Sequence, residues 1–294
     1  MSNKKESDLN HIEADFERFM SSLEDSPALY LKIVELNDTS TYAPPMKAAP
    51  HVDWAYALQH RCLLRDFSNI VSHHREYFKS RGTYMERGPA CLDIGSQHSF
   101  IIPLSVLANF YVLDAQFPDD VFNGYPSTGI IMLPGEAQKI PLKDKSMSIV
   151  TSMHAIEHFG LGRYGDSLDP HGDVRGVREV YRILTEGGIF IGSVPVVSKK
   201  RERVDFNRTR LYYPETFRRI LMDCGFQVKY EEILCAPHAK FSSPDERSLT
   251  GEIYHTEIKK EEDIEKIEAV CGEGNEPDMV YYFIACREKY EKET

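Results

Sequence analysis

Apolar residues along the chain follow two periods. From His11 to Leu23, the positions Ile12, Phe16, Phe19, Met20 and Leu23 recur at helical spacing. Thr39 to Pro50 carries three prolines and reads as a connector. Trp54 to Ser80 returns to helical spacing, with Leu58, Cys62, Leu63, Phe67, Ile70, Val71 and Phe78 on one face and Gly82 as the stop. Beyond residue 84 the pattern changes to short apolar runs that end on a polar residue or a glycine. Ala90–Ile94 runs into Gly95-Ser96, Phe110–Leu113 ends in Asp114, and Ser146–Ser152 leads to His154. A helix then closes on Arg182–Gly188, with the strand Ile189–Val194 behind it. Strands alternating with helices predict a parallel sheet with helices on its faces. Pro214 opens a further helix that Gly225 stops, Phe226–Tyr230 alternates as a strand, and Met279–Cys286 is the last strand. Residues 236–277 form a long insertion, with a charged helix expected over Lys259–Val270. The expected organisation is a helical extension or cap over 1–83 and an α/β domain over 84–294.

In an open doubly wound sheet, ligands bind beyond the carboxyl ends of the parallel strands. Gly95 sits at such an end and lets the backbone approach a ligand closely. Asp114, ending the next strand, has the position and charge to accept hydrogen bonds from both hydroxyls of a ribose. His154-Ala155-Ile156-Glu157-His158 follows a third strand end. A histidine there suits general-base work, since its pKa lies near working pH. The same H-x-x-E-H string also permits a metal reading, with Asp166, Asp169, His171 and Asp173 as further ligands. Gly160–Asp166 is glycine-rich, but no Gly-Lys-Ser/Thr follows, so it is not a phosphate cradle. Arg163, Tyr164 and Asp166 in that segment are candidates to face an acceptor. Arg208, Arg210 and Tyr212 mix cations with aromatics and are candidates to hold a sugar or a phosphorylated acceptor.

The order and spacing of these pieces between Pro89 and Arg287 resemble the class I S-adenosylmethionine-dependent methyltransferases. His154–Asp166 and the Asp169-Pro170-His171-Gly172-Asp173 that follows resemble more closely a methyltransferase-like family first described from nematodes, with bacterial members. The resemblance implies a Rossmann-like, seven-stranded, mostly parallel sheet whose last strand is antiparallel, with the helical extension as a cap on the cofactor cleft. It implies S-adenosyl-L-methionine as cofactor. Asp93, Gly95 and Ser96 would surround its methionine part, Asp114 and Ala115 its ribose, Glu136 and Ala137 its adenine, and Ser152 and Met153 would lie under the sulfonium. His154, His158 and Asp166 are then the catalytic candidates. The family's second glycine is replaced by Gln97. That substitution argues against a nicotinamide dehydrogenase, whose pyrophosphate needs a glycine-rich turn. The implied activity is O-methylation of a small molecule or a sugar of a surface glycan. The alternatives are a cofactor-binding protein without transferase activity, and a metal-dependent enzyme using His154, His158, Asp166 and His171.

Composition narrows the partners. A net charge of −11 argues against nucleic acid, although Lys199–Arg203 and Arg208–Arg219 are locally basic. No CxxC pair occurs among the six cysteines, which read as reduced, buried thiols. No signal peptide or apolar run of membrane-spanning length is seen, so a cytoplasmic protein is expected. A homo-oligomer is left open.

Overall fold

The computed structural model describes residues 54–85, 88–96, 98–115, 130–235 and 279–288, together with 14, 17–18, 33–36, 240–243, 246–250, 254–257 and 262–263. In chain order the elements are β1 (Ile33–Leu36), α1 (Trp54–His73), α2 (Arg75–Ser80), β2 (Tyr84–Met85), β3 (Gly88–Ile94), α3 (His98–Ile101), β4 (Asn109–Asp114), β5 (Ile131–Pro134) and β6 (Met147–Met153). These are followed by α4 (Gly172–Ile183), β7 (Leu184–Val196), β8 (Arg203–Phe206), β9 (Thr209–Leu211), α5 (Pro214–Asp223) and β10 (Phe226–Cys235). Last come β11 (Lys240–Ser243), β12 (Glu246–Thr250), β13 (Tyr254–Glu257) and β14 (Met279–Arg287).

The main sheet runs β13-β10-β14-β7-β6-β3-β4-β5, with β2 paired to β3. Strands β3 to β7 are parallel, and β14 runs antiparallel between β7 and β10. Strand order reverses at β3, which pairs with β4 on one side and β6 on the other. The seven expected strands are all present. The insertion adds an eighth at the edge, β13, and a separate β11–β12 hairpin. Of its expected charged helix, only Glu262 and Asp263 lie within the described residues, and both are helical.

Period-2 alternation sorts side chains to the two faces. Phe190, Val194, Tyr281 and Phe283 face one core with Val174, Val177, Val180 and Ile183 of α4 and Phe217, Ile220 and Leu221 of α5. Ile189, Ile191, Val280 and Tyr282 face the other with Cys62, Leu63 and Phe67 of α1. Burying such residues on both faces supplies the main driving force, at about 25 cal/mol per Å2 of apolar surface. The expected Trp54–Ser80 helix is broken at His74 into α1 and α2. The extension also contributes a strand where helix was expected, since β1 pairs in parallel with β8. Pro214 and Gly225 bound α5 as expected, with Gly225 at φ +97°. Among the described residues Cys62, Cys91 and Cys224 are free thiols, and no helix is long and apolar enough to cross a membrane.

Candidate active site

Two turns at the carboxyl edge of the sheet organise the site. After β3 the chain enters Gly95 at φ +67°, a left-handed conformation that an L side chain adopts only at a cost. Gly95 is exposed, while Asp93 two residues earlier is completely buried. The Asp93 carboxylate accepts from the Ser96 backbone N–H at 3.0 Å, the Ser96 hydroxyl at 2.7 Å and the Thr151 hydroxyl at 2.6 Å. Ser96 Oγ accepts in turn from the Met153 N–H at 2.8 Å, so the network ties β3 to β6. Burial pushes the Asp93 carboxyl up to about 7, against the pull of its hydrogen bonds from Thr151 and Ser96.

After β6 the chain enters His154, also left-handed at φ +52°. Such a conformation is uncommon outside glycine and clusters at functional sites. Its N–H donates to the Ser193 carbonyl at 3.1 Å and lies 3.2 Å from Ser193 Oγ. Ser193 Oγ also donates to buried Gln59, which links α1 to this turn. His154 Nδ1 lies 3.0 Å from Glu157 Oε1, and His158 Nε2 lies 3.7 Å from the same oxygen. Glu157 is 1% exposed. Burial works to raise its carboxyl, but His158 and His154 together hold it below the ordinary glutamate value. Burial also keeps the His158 imidazole below its ordinary value, although Glu157 pulls the other way.

The remaining expected cofactor residues divide by exposure. Asp114 is partly exposed and Ala115 exposed at the end of β4, and Glu136 is partly exposed after β5. Glu136 accepts from the Ser167 N–H at 3.2 Å and hydroxyl at 3.0 Å, which pins the 160s loop beside it. Ser96, Ala137, Ser152 and Met153 are buried; Ser152 Oγ donates to the Ile94 carbonyl at 3.0 Å. These four, like Asp93, are buried beneath the edge. Gln97 lies outside the described residues.

The expected acceptor contacts also separate. Tyr164 is 44% exposed, stands edge-on to His158 and carries the Arg163 guanidinium 5.5 Å from its ring centre. The exposed Arg208 offers its carbonyl to His158 Nδ1 at 2.6 Å and to Arg163 at 3.2 Å. Asp166 instead spends its carboxylate on the N–H groups of Gly160, at 2.7 Å, and Tyr164, at 3.3 Å. Arg210 and Tyr212 are fully buried. Arg210 donates to the carbonyls of Phe159 at 2.6 Å and Pro170 at 3.0 Å, and the Tyr212 hydroxyl donates to Asp173 at 2.8 Å. Both clamp the loop from beneath; a buried guanidinium has to spend its donors in this way. The sequence alone assigns no role to Thr151 and Ser193, whose only signal is a position one strand away from the turns they brace, or to Gln59 on α1. Among the described residues no three His, Cys, Asp or Glu side chains are arranged to hold a metal ion, so the His154, His158, Asp166 and His171 grouping is not assembled.

A cavity of about 780 Å3 lies at the opposite, amino end of the parallel strands, lined by Tyr77, Lys145, Glu186, Lys229 and Arg287 among others. Two of its cations are already engaged. Lys145 pairs with Glu186 at 2.9 Å, and Arg287 binds the carbonyls of Tyr181, Arg182 and Leu184 that end α4.

The mostly parallel order, reversed at β3 and closed by an antiparallel β14, decides the architecture. The chain has the class I methyltransferase fold. Residues 132–245 match the model of a family described as Caenorhabditis protein of unknown function, DUF268. That match runs from within β5 to just past β11 and so contains both histidines and the 160s loop. No curated protein matches the chain. Among solved structures, a SAM-dependent methyltransferase from Thermotoga maritima is 17% identical with a TM-score of 0.43, covering 76% of this chain and 98% of its own. A SAM-dependent methyltransferase from Methanosarcina mazei is 12% identical with a TM-score of 0.43, covering 71% and 96%. Phosphoethanolamine N-methyltransferase 2 of Haemonchus contortus, in complex with S-adenosyl-L-methionine, is 15% identical with a TM-score of 0.45, covering 74% and 52%.

Proposed function

We propose that this protein is an S-adenosyl-L-methionine-dependent methyltransferase that acts on a hydroxyl oxygen of a small molecule or of a sugar unit such as those of surface glycans. The observation that carries the reading is the left-handed His154, braced on a buried carboxylate one turn from the exposed Gly95. The residues present fit the cofactor. A Cβ on Gly95 would meet Ala155 Cβ at 3.1 Å, so the backbone there stays bare for close approach. Asp114, partly exposed at the end of β4, is placed to accept from ribose hydroxyls, and Glu136 stands at the next strand end for the adenine amine. When bound, the cofactor supplies an electrophilic methyl group on sulfur. The chain's part is to hold the acceptor in line and to take its proton, with His154 as the base. Arg163, Tyr164 and Arg208 form the exposed rim against which an acceptor is oriented.

Calorimetric titration with S-adenosylhomocysteine tests the cofactor half. The wild type should bind, and Asp114→Ala should lose about 1–3 kcal/mol, the worth of hydrogen bonds to a charged acceptor. A wild type that does not bind refutes the reading; an unaffected variant refutes the ribose assignment. For the chemical half, His154→Ala should lower turnover about 10²–10⁴-fold on an active nucleotide-sugar or polyol acceptor, with S-adenosylhomocysteine affinity unchanged.

A further inference from the structure

The two histidines meet at one oxygen of Glu157, and the hydrogen-bond geometry places protons on two of the four ring nitrogens. His158 Nδ1 lies 2.6 Å from the Arg208 carbonyl, which can only accept, so that nitrogen carries hydrogen. His158 Nε2 is turned to Glu157 Oε1 at 3.7 Å, beyond hydrogen-bond length. The closer contact belongs to His154, whose Nδ1 is 3.0 Å from the same oxygen. An ionised carboxylate only accepts, so His154 Nδ1 carries hydrogen, and in the neutral ring the lone pair is then on Nε2. Glu157 is in no position to turn away. It is 1% exposed, its own carbonyl lies 3.5 Å from buried Arg210, and its second oxygen, Oε2, is buried without a hydrogen-bond partner. The His154 backbone is equally held, by the Ser193 carbonyl and the following Ile156–His158 turn.

We propose that Glu157 is the positioning residue of this site: through Nδ1 it selects the His154 tautomer whose Nε2 takes the acceptor proton, and it neutralises the imidazolium that forms. The inference rests on the methyl-transfer reading above. In the step, the acceptor O–H bond breaks as an O–CH3 bond forms. The methyl–sulfur electron pair stays on sulfur, which leaves as a neutral thioether, and the proton rests on His154 Nε2 before passing to water. An acceptor that needs this proton removed is an alcohol; an amine offers its lone pair without a base of this kind. The geometry therefore favours hydroxyl acceptors, which are abundant on sugars.

The test needs no acceptor. Long-range 1H–15N spectra of the full-length protein labelled in its histidines report the tautomer of His154, whose signals are assigned by their loss in His154→Ala. The wild type should show a protonated Nδ1 and a bare Nε2. Glu157→Gln should keep that pattern, since its side-chain oxygen still accepts, but its Nδ1–H proton should move upfield as the acceptor loses charge. Glu157→Leu should pass to the Nε2–H form that free imidazole side chains prefer. A bare Nδ1 in the wild type overturns the proposal, as does a leucine variant with an unchanged tautomer. If the leucine variant does not fold, the glutamine variant decides, and an unmoved Nδ1–H proton overturns the proposal. S-adenosylhomocysteine titrated into the same wild-type sample separates the two inferences. The expected tautomer without binding defeats the methyl-transfer reading, whereas binding with the opposite tautomer defeats only the role of Glu157.

Discussion

The turns leaving β3 and β6 lie on neighbouring strands, each passes through a left-handed residue, and each hides a carboxylate. Asp93 is 0% exposed and Glu157 is 1% exposed. Their acidities nevertheless move in opposite directions. Every hydrogen-bond donor to Asp93 is neutral, a backbone N–H and two hydroxyls, and burial prevails to raise it to about 7. Glu157 faces two imidazoles, and these outweigh its burial and lower it. Neutral donors therefore do not offset burial of a carboxylate here, and partners that can carry charge do. One turn fastens two strands; in the proposed reading the other supplies the counter-charge for a base. The left-handed residues match this division. Glycine occupies the turn after β3, and histidine occupies the one after β6.

The largest blow to this contrast comes from removing the fastening. Asp93→Leu leaves three donors buried without acceptors, at about 1–3 kcal/mol each. Urea unfolding should show the full loss, and a variant within about 1 kcal/mol of wild type would mean that the network is incidental. A middle-sized effect is expected at the adjacent glycine. Gly95→Ala must adopt φ +67° and press on Ala155, and should cost about 1–2 kcal/mol in unfolding free energy. A further effect concerns pH. An unfolded aspartate titrates near 3.9, whereas folded Asp93 titrates at about 7. Between these values the folded state keeps a proton that the unfolded chain has released, so this group makes stability fall as pH rises. Glu157 acts with the opposite sign: its contribution is present above the ordinary glutamate value and is lost as pH falls through its lowered folded value. Asp93→Asn should flatten the decline between about pH 4 and about pH 7 and leave the acid limb in place. Urea midpoints across that window check it, and parallel profiles for variant and wild type would remove the distinction between the two acids.

The strands of this site are legible in the sequence because each is a run of apolar residues ended by a turn residue. Gly95, Asp114 and His154 all fall at such ends, so their place at the sheet edge follows from local pattern alone. Three-dimensional partnership is a different matter. Thr209–Leu211 is too short to show which of its side chains points inward, and the Arg-Leu-Tyr run looks like a ligand surface although Arg210 and Tyr212 are buried. Asp166 sits in a glycine-rich stretch, where an acidic side chain has free backbone N–H groups within reach and binds them. Ile33–Leu36 carries no periodicity that four residues could express, and its partner strand begins about 170 positions later.

That last pairing bears on the order in which the molecule comes together. β8 and β9 are adjacent in sequence and close a hairpin through Asn207, a contact that forms at little entropic cost. β1 joins the same hairpin only by bringing Ile33 to Arg203, and parallel contacts between such distant positions are slow to form because their loop must be closed before any contact rewards it. The hairpin whose Arg208 carbonyl binds His158 thus gains its third strand late in folding. Among the described strands synthesis places β1 first, so a chain halted before residue 203 has no partner for it and leaves its edge open to other chains.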